Sequence, residues 1–114
     1  NGSTESARAV THALPILSRA KQVVLATSVS AQKNKPGLNS LQRYLQMHGV
    51  ESTQTVFDSA RRPTGEALLE LCGQQNADLM VMGGFTHRRV HEQIFGGVTQ
   101  HMVAYSDIPI FMMH

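Results

Sequence analysis

The chain has 114 residues, of which 41% are apolar and 16% charged, with ten Lys and Arg against eight Asp and Glu for a formal charge of +2. That is the composition of one ordinary folded domain with a single core, and it excludes disorder as the first reading. So weak a charge does not draw a protein to nucleic acid, aromatic residues at 5% are too few to supply stacking platforms for single strands, and no apolar run approaches the roughly 20 residues that span a bilayer.

Ser3 offers an N-cap with Glu5 in the first turn, and Ala7, Val10, Ala13, Leu14 and Leu17 recur at helical spacing. This predicts an amphipathic helix from Ser3 to Ala20. Pro15 removes one backbone donor inside it and invites a kink, but the apolar stripe continues past it. Val23 to Val29 is a short β-branched run without alternation, the pattern of a strand buried on both faces. A polar stretch, Lys33 to Gly37, leads to a second helix from Leu38 to His48, with Leu41, Leu45 and His48 on one side and Gly49 as its stop. Thr53 to Phe57 reads as a strand. Pro63 and Thr64 open a third helix whose inward face is Ala67, Leu68, Leu71 and Cys72, and which ends near Asn76. Cys72 is the only cysteine, so no intrachain disulfide forms, and its place on an apolar face predicts an inert thiol. Leu79 to Met82 is a further buried strand that runs into Gly83-Gly84. A loop then reaches Gly96-Gly97, a short helix follows to Tyr105, and Ile108 to Met112 is the last strand.

This alternation is that of an α/β fold: an open parallel sheet, Rossmann-like, with helices on both faces. Such a unit normally opens on a strand, and none precedes the helix at Ser3. The expectation is a single domain over residues 1–114 whose sheet has five strands when complete, with the first strand missing and a slot left at the sheet centre.

The stretch from Gly83 to Thr99 leaves the carboxyl end of a strand through two glycines and returns through two more at a helix N-terminus. Glycines let backbone amides approach an anion, and the first helical turn adds unpaired N–H groups and a partial positive charge. Thr99 adds a hydroxyl. Glycines alone are a weak signal, since tight turns need them too. The stretch is neither a Walker loop, lacking a Gly-Lys-Ser/Thr end, nor a dinucleotide fingerprint, which follows the first strand of its fold.

Three places together resemble the universal stress protein family. Asn1-Gly2-Ser3 followed by Glu5-Ser6-Ala7 resembles the Asp/Asn-Gly-Ser-x-x-Ala opening of the family's first helix, and Asp107-Ile108-Pro109-Ile110 resembles its final x-x-Pro-Val strand. Between them, the long stretch resembles the family's ATP motif: Gly, two residues, Gly, nine residues, Gly, then Ser or Thr. On that resemblance, Gly83 matches the first Gly, Gly96 the later Gly, and Val98-Thr99 the Val-Ser/Thr pair at the phosphate end. Two positions depart. Thr86 stands where the second Gly belongs, and Gly97 where a Ser or Thr follows the later Gly. A β-branched residue forced to positive φ is strained, and its bulk would lie near the phosphates. Gly97 keeps its amide and loses only a hydroxyl.

The resemblance further implies that Asn1 and Val29 stand where the family holds the adenine. Asn1 offers a hydrogen bond but no charge. It implies ATP or AMP as ligand, with or without Mg, and a regulatory role in the stress response rather than an enzymatic one. It also implies pairing through the last strand, as a homodimer or as one half of a tandem protein; a cytoplasmic location is expected instead from the lone Cys72 and from the lack of a membrane-length apolar run or a secretory pattern after Asn1. The alternative, motivated by Thr86, is a module of the same fold that binds no ATP and works through dimerisation.

Other residues suggest chemistry more weakly. His87 and His91, with Glu92 beside them, have metal-ligand spacing if helical, but Gly-rich flanks do not favour a rigid helix and no third ligand is apparent. Arg88 and Arg89 could meet phosphates or form a solvated turn. His12, His48, His101 and His114 are isolated. No nucleophile, base and orienting group can be assembled from the spacing, which reads as a protein that is not an enzyme.

Overall fold

The computed structural model describes residues 4–29, 37–59, 62–84 and 97–113. Helices and strands alternate along them: α1 (Thr4–Leu17), β1 (Val24–Ser28), α2 (Gly37–Met47), β2 (Thr53–Phe57), α3 (Thr64–Gln74), β3 (Met80–Gly83), α4 (Gly97–Tyr105) and β4 (Ile110–Met113).

The helix ends follow from local chemistry. α1 runs through Pro15 and stops at Leu17 rather than Ala20. There the chain tightens into short turns, in which the Arg19 N–H donates to the Ile16 carbonyl and the Ala20 N–H to the Leu17 carbonyl, each at 3.1 Å. α2 ends at Gly49, whose φ of +80° is one that only glycine adopts without strain. The Val50 N–H then reaches back to the Leu45 carbonyl at 2.8 Å, and both side chains enter the core, the hydrophobic contact that accompanies this kind of C-cap. α3 closes in the same way. Asn76 takes the left-handed position, φ 53°, and the Ala77 N–H donates to the Cys72 carbonyl at 2.9 Å. The expected end near Asn76 is therefore a defined cap.

β1 and β2 pair in parallel, from Val24 against Thr53 to Ser28 against Phe57. β3 and β4 also pair in parallel, from Met80 against Ile110 to Gly83 against Met113. Pro109, which has no N–H to give, sits at the mouth of β4 and accepts from the Met80 N–H at 3.1 Å. Parallel strands joined by helices are the expected α/β architecture. Among the described residues, however, the sheet is two separate pairs rather than a continuous five-stranded one.

That division corrects the reading of two strands as buried on both faces. β1 alternates, with Leu25 and Thr27 buried and Val24 and Ala26 half-buried, and Met80, Val81 and Met82 of β3 are all half-buried. Full burial needs cover on both faces and a neighbour on each side, and each of these strands has one described neighbour. Val10, Val23, Leu25, Leu45 and Val50 form the core cluster, and Val81 of β3 packs onto it with Leu14, Leu17 and Leu41. The two pairs thus share a core. α1 bridges them: Ala9 and Ala13 are fully buried, and small residues let the helix lie close against β3 and β4. His48, expected on the inner side of α2, is exposed instead; its Nδ1 lies 2.9 Å from the Tyr44 carbonyl, and its ring packs on that tyrosine.

Candidate functional site

The carboxyl end of β3 is where the glycine-rich stretch begins, and its first two residues have different reasons to be glycine. A Cβ on Gly83 would lie 2.7 Å from the Glu5 carbonyl carbon and from the Ser6 nitrogen. Backbone cannot yield as a side-chain tip can, so Gly83 is what allows the first turn of α1 to cross the strand end. Gly84 is buried as well, and its N–H donates to the Met113 carbonyl at 2.7 Å. A Cβ there would fall 2.5 Å from Sδ and 2.7 Å from Cγ of Met112, and 3.8 Å from the Thr99 Oγ1. The exit from β3 is therefore packed against Met112 and lies close to Thr99 in the first turn of α4.

Gly97 opens α4 and is exposed, Val98 is half-buried and Thr99 is only 4% exposed. Among the described residues, a Cβ on Gly97 would meet nothing within 4 Å. The leading N–H groups of α4 have no partner within the helix, and they carry the positive end of the helix dipole. The Thr99 side chain, by contrast, is turned into the protein toward Gly84. An anion at this end would meet backbone amides of Gly97 and Val98 rather than a free hydroxyl.

Val29, placed at the adenine end on resemblance, lies immediately past β1 and is 40% exposed. It thus also stands at the carboxyl end of its strand, where open α/β sheets take their ligands. Asn1, Thr86 and Gly96 lie outside the described residues, as do His87, Arg88, Arg89, His91, Glu92 and His114.

The remaining candidates have structural roles. His12 is exposed with Nδ1 3.0 Å from the Arg8 carbonyl. His101 packs so closely on α3 that a Cβ on Gly65 would lie 2.8 Å from its ring, and that ring meets Tyr105 at a tilt of 44°, 4.8 Å between centroids. Among the described residues no three His, Cys, Asp or Glu side chains come together as metal ligands. Burial, and secondarily the nearby Asp107 carboxylate, push the Cys72 thiol above its ordinary pKa, which leaves less thiolate and agrees with an inert cysteine. Cys72, Asn76 and Asp107 line a pocket with Ile108, before the amino ends of β3 and β4 and so away from the glycines. Just before α3, the Arg62 guanidinium hydrogen-bonds Glu70 and stands 3.9 Å from Glu66, both on that helix. The Glu70 bond raises the Arg62 pKa and holds the Glu70 carboxyl below its usual range.

A sequence model described as the Universal stress protein family matches residues 1–114, the whole chain. The chain belongs to the universal stress protein family. Solved structures agree in fold. The universal stress protein from Archaeoglobus fulgidus superposes with a TM-score of 0.80 at 16% identity, covering 98% of this chain and 91% of that one. Hypothetical protein MJ0577, the subject of a structure-based assignment of biochemical function, gives 0.79 at 15% identity over 97% of this chain and 88% of its own. Universal stress protein UspA from Lactobacillus plantarum gives 0.71 at 14% identity, over 100% and 92%. No curated protein matches the sequence. Among the described residues of this universal stress protein domain, no helix is long and apolar enough to cross a membrane.

The sequence pointed to Gly83, Gly97, Val98 and Thr99 as ligand contacts but gave no sign of Met112 or of the first turn of α1 beside them. Both meet the strand end through tertiary packing, and no local spacing encodes that.

Proposed function

We propose that this universal stress protein domain binds an adenine nucleotide, ATP or AMP, at the carboxyl ends of β1 and β3 and acts as a cytoplasmic regulator in the stress response, without enzymatic turnover of its own. The observation that carries the reading is the meeting of the end of β3, at Gly84, with the first turn of α4, at Thr99, which sets the positively polarised start of that helix, with the Gly97 and Val98 amides, near the carboxyl end of β3. Val29 supplies a backbone group for the base, and Asn1, Thr86 and Gly96 complete the set on family resemblance. ATP with Mg suits such a site because amides and a helix dipole neutralise phosphate charge without a dedicated protein cage. Denaturing freshly purified protein and examining the released small molecules by ultraviolet absorbance and mass spectrometry tests this directly. An adenine nucleotide in stoichiometric amount supports it, whereas protein free of nucleotide that also fails to take up ATP on titration contradicts it.

Two observations favour the second reading, a module that works by dimerisation alone. The packing of α1 accounts for Gly83 without any ligand, and the Thr99 hydroxyl is directed into the protein. On that reading β4 pairs with the same strand of a second copy or of a tandem domain, covering an apolar edge that would otherwise invite aggregation. A protein that stays monomeric at micromolar concentration counts against it.

A further inference from the structure

We propose that Met112 of β4 is a positioning residue for the phosphate end of this site, an inference that rests on the nucleotide reading above. Its Sδ and Cγ fill the space a side chain on Gly84 would take, 2.5 and 2.7 Å from that Cβ position, and the same side of Gly84 looks onto the Thr99 Oγ1 at 3.8 Å. The next residue of the strand, Met113, ties the Gly84 N–H through its carbonyl at 2.7 Å. Met112 also stands in register beside Met82 of β3. One side chain is therefore packed against the end of β3, on the side of Gly84 that also faces Thr99 of α4.

The chemistry of the pair is complementary. Methionine, unbranched with a polarisable sulfur, fills irregular gaps that stiffer side chains leave empty, and glycine is the residue that leaves this gap. A smaller residue at 112 removes the support beneath Gly84, and a larger one at 84 must push the thioether aside. Either change loosens the end of β3 from which the chain runs on toward the start of α4, and small errors in the placement of binding groups are costly. Val29, at the adenine end, is not part of this contact. The loss therefore belongs to the phosphate-dependent share of affinity.

The test is calorimetric titration with ATP and, separately, with adenosine, on the native chain, Met112→Ala, Met112→Leu and Gly84→Ala, together with hydrogen exchange at the Gly84 amide. Met112→Ala and Gly84→Ala should weaken ATP about tenfold while adenosine changes less than about twofold, and the Gly84 amide should exchange faster. Met112→Leu, which refills the volume, should restore both readouts. Equal losses for ATP and adenosine would overturn the positioning role, as would native ATP affinity in Met112→Ala. Should the native chain bind neither ligand, the nucleotide reading fails on its own. The exchange measurement then decides alone: faster exchange at Gly84 in Met112→Ala, recovered in Met112→Leu, sustains the seat, and unchanged exchange overturns it.

Discussion

The β1–β2 half and the β3–β4 half of this domain are built from different kinds of side chain. Around β1 the contacts are between branched aliphatic residues: Val23, Leu25, Leu45 and Val50 are buried together, with Leu41 and Tyr44 packed on them. Around β3, apart from Val81 on the shared aliphatic cluster, the contacts run through glycine, alanine, threonine and methionine: Ala9 and Ala13 of α1, Gly83 and Gly84 at the strand end, Thr99 of α4 and Met112 of β4. Aliphatic packing places bulk and stabilises by area removed from water. Small-residue packing lets backbones approach one another, which positions amides. A large-to-small change in the first half should therefore cost the most stability, and the second half is where we propose the site.

Four substitutions probe that contrast. The largest effect is expected from Leu45→Ala in the aliphatic half, where Leu45 is fully buried. Its loss should cost about 2–5 kcal/mol in denaturant unfolding, with the spread set by how far the cavity collapses. Gly83→Ala in the other half should cost about 1–3 kcal/mol through overpacking against α1, and Glu5→Ala should not relieve it, because the clash at 2.7 Å includes backbone atoms. Next comes Thr86→Gly, which addresses the ligand rather than the fold. If Thr86 stands at a backbone position suited to glycine, removing strain of order 1–3 kcal/mol should tighten ATP about tenfold in calorimetry; tight native binding with no gain in the variant would show Thr86 to be compatible with the site. The smallest effect belongs to the exposed Arg62–Glu70 pair. Glu70 has its pKa lowered on folding by Arg62, so its contribution is present above the ordinary carboxylate pKa and is lost as pH falls through the lowered value. A shallow acid limb in stability should disappear in Glu70→Gln and be screened by high salt.

The two halves were also unequally legible in the sequence. The element order, the Thr53–Phe57 strand and the stop at Gly49 follow from periodicity and from a φ that glycine alone takes freely, all local properties. The aliphatic core was legible for the same reason, since Leu41 and Leu45 recur on one helical face. Burial in the sheet was not. An apolar run such as Val23 to Val29 reads as doubly buried, but cover depends on neighbours far along the chain. The Thr53 N–H donates to the Val23 carbonyl, so Val24 and Ala26, one step out of phase, turn their backbone groups away from β2. At the site, the glycines were legible as glycines and the family motif gave them a role. Their steric reasons, α1 on Gly83 and Met112 on Gly84, come from residues about 30 to 80 positions away that no motif links.

The claim that the small-residue half holds the nucleotide is tested most directly by residue-resolved hydrogen exchange with and without saturating ATP and Mg. Binding at the start of α4 should slow exchange at the Gly97 and Val98 amides and leave Asn76 and Ala77, beside Cys72, unchanged. Exchange at Gly97 and Val98 that does not respond to ATP, in the native chain and in Thr86→Gly alike, would contradict it.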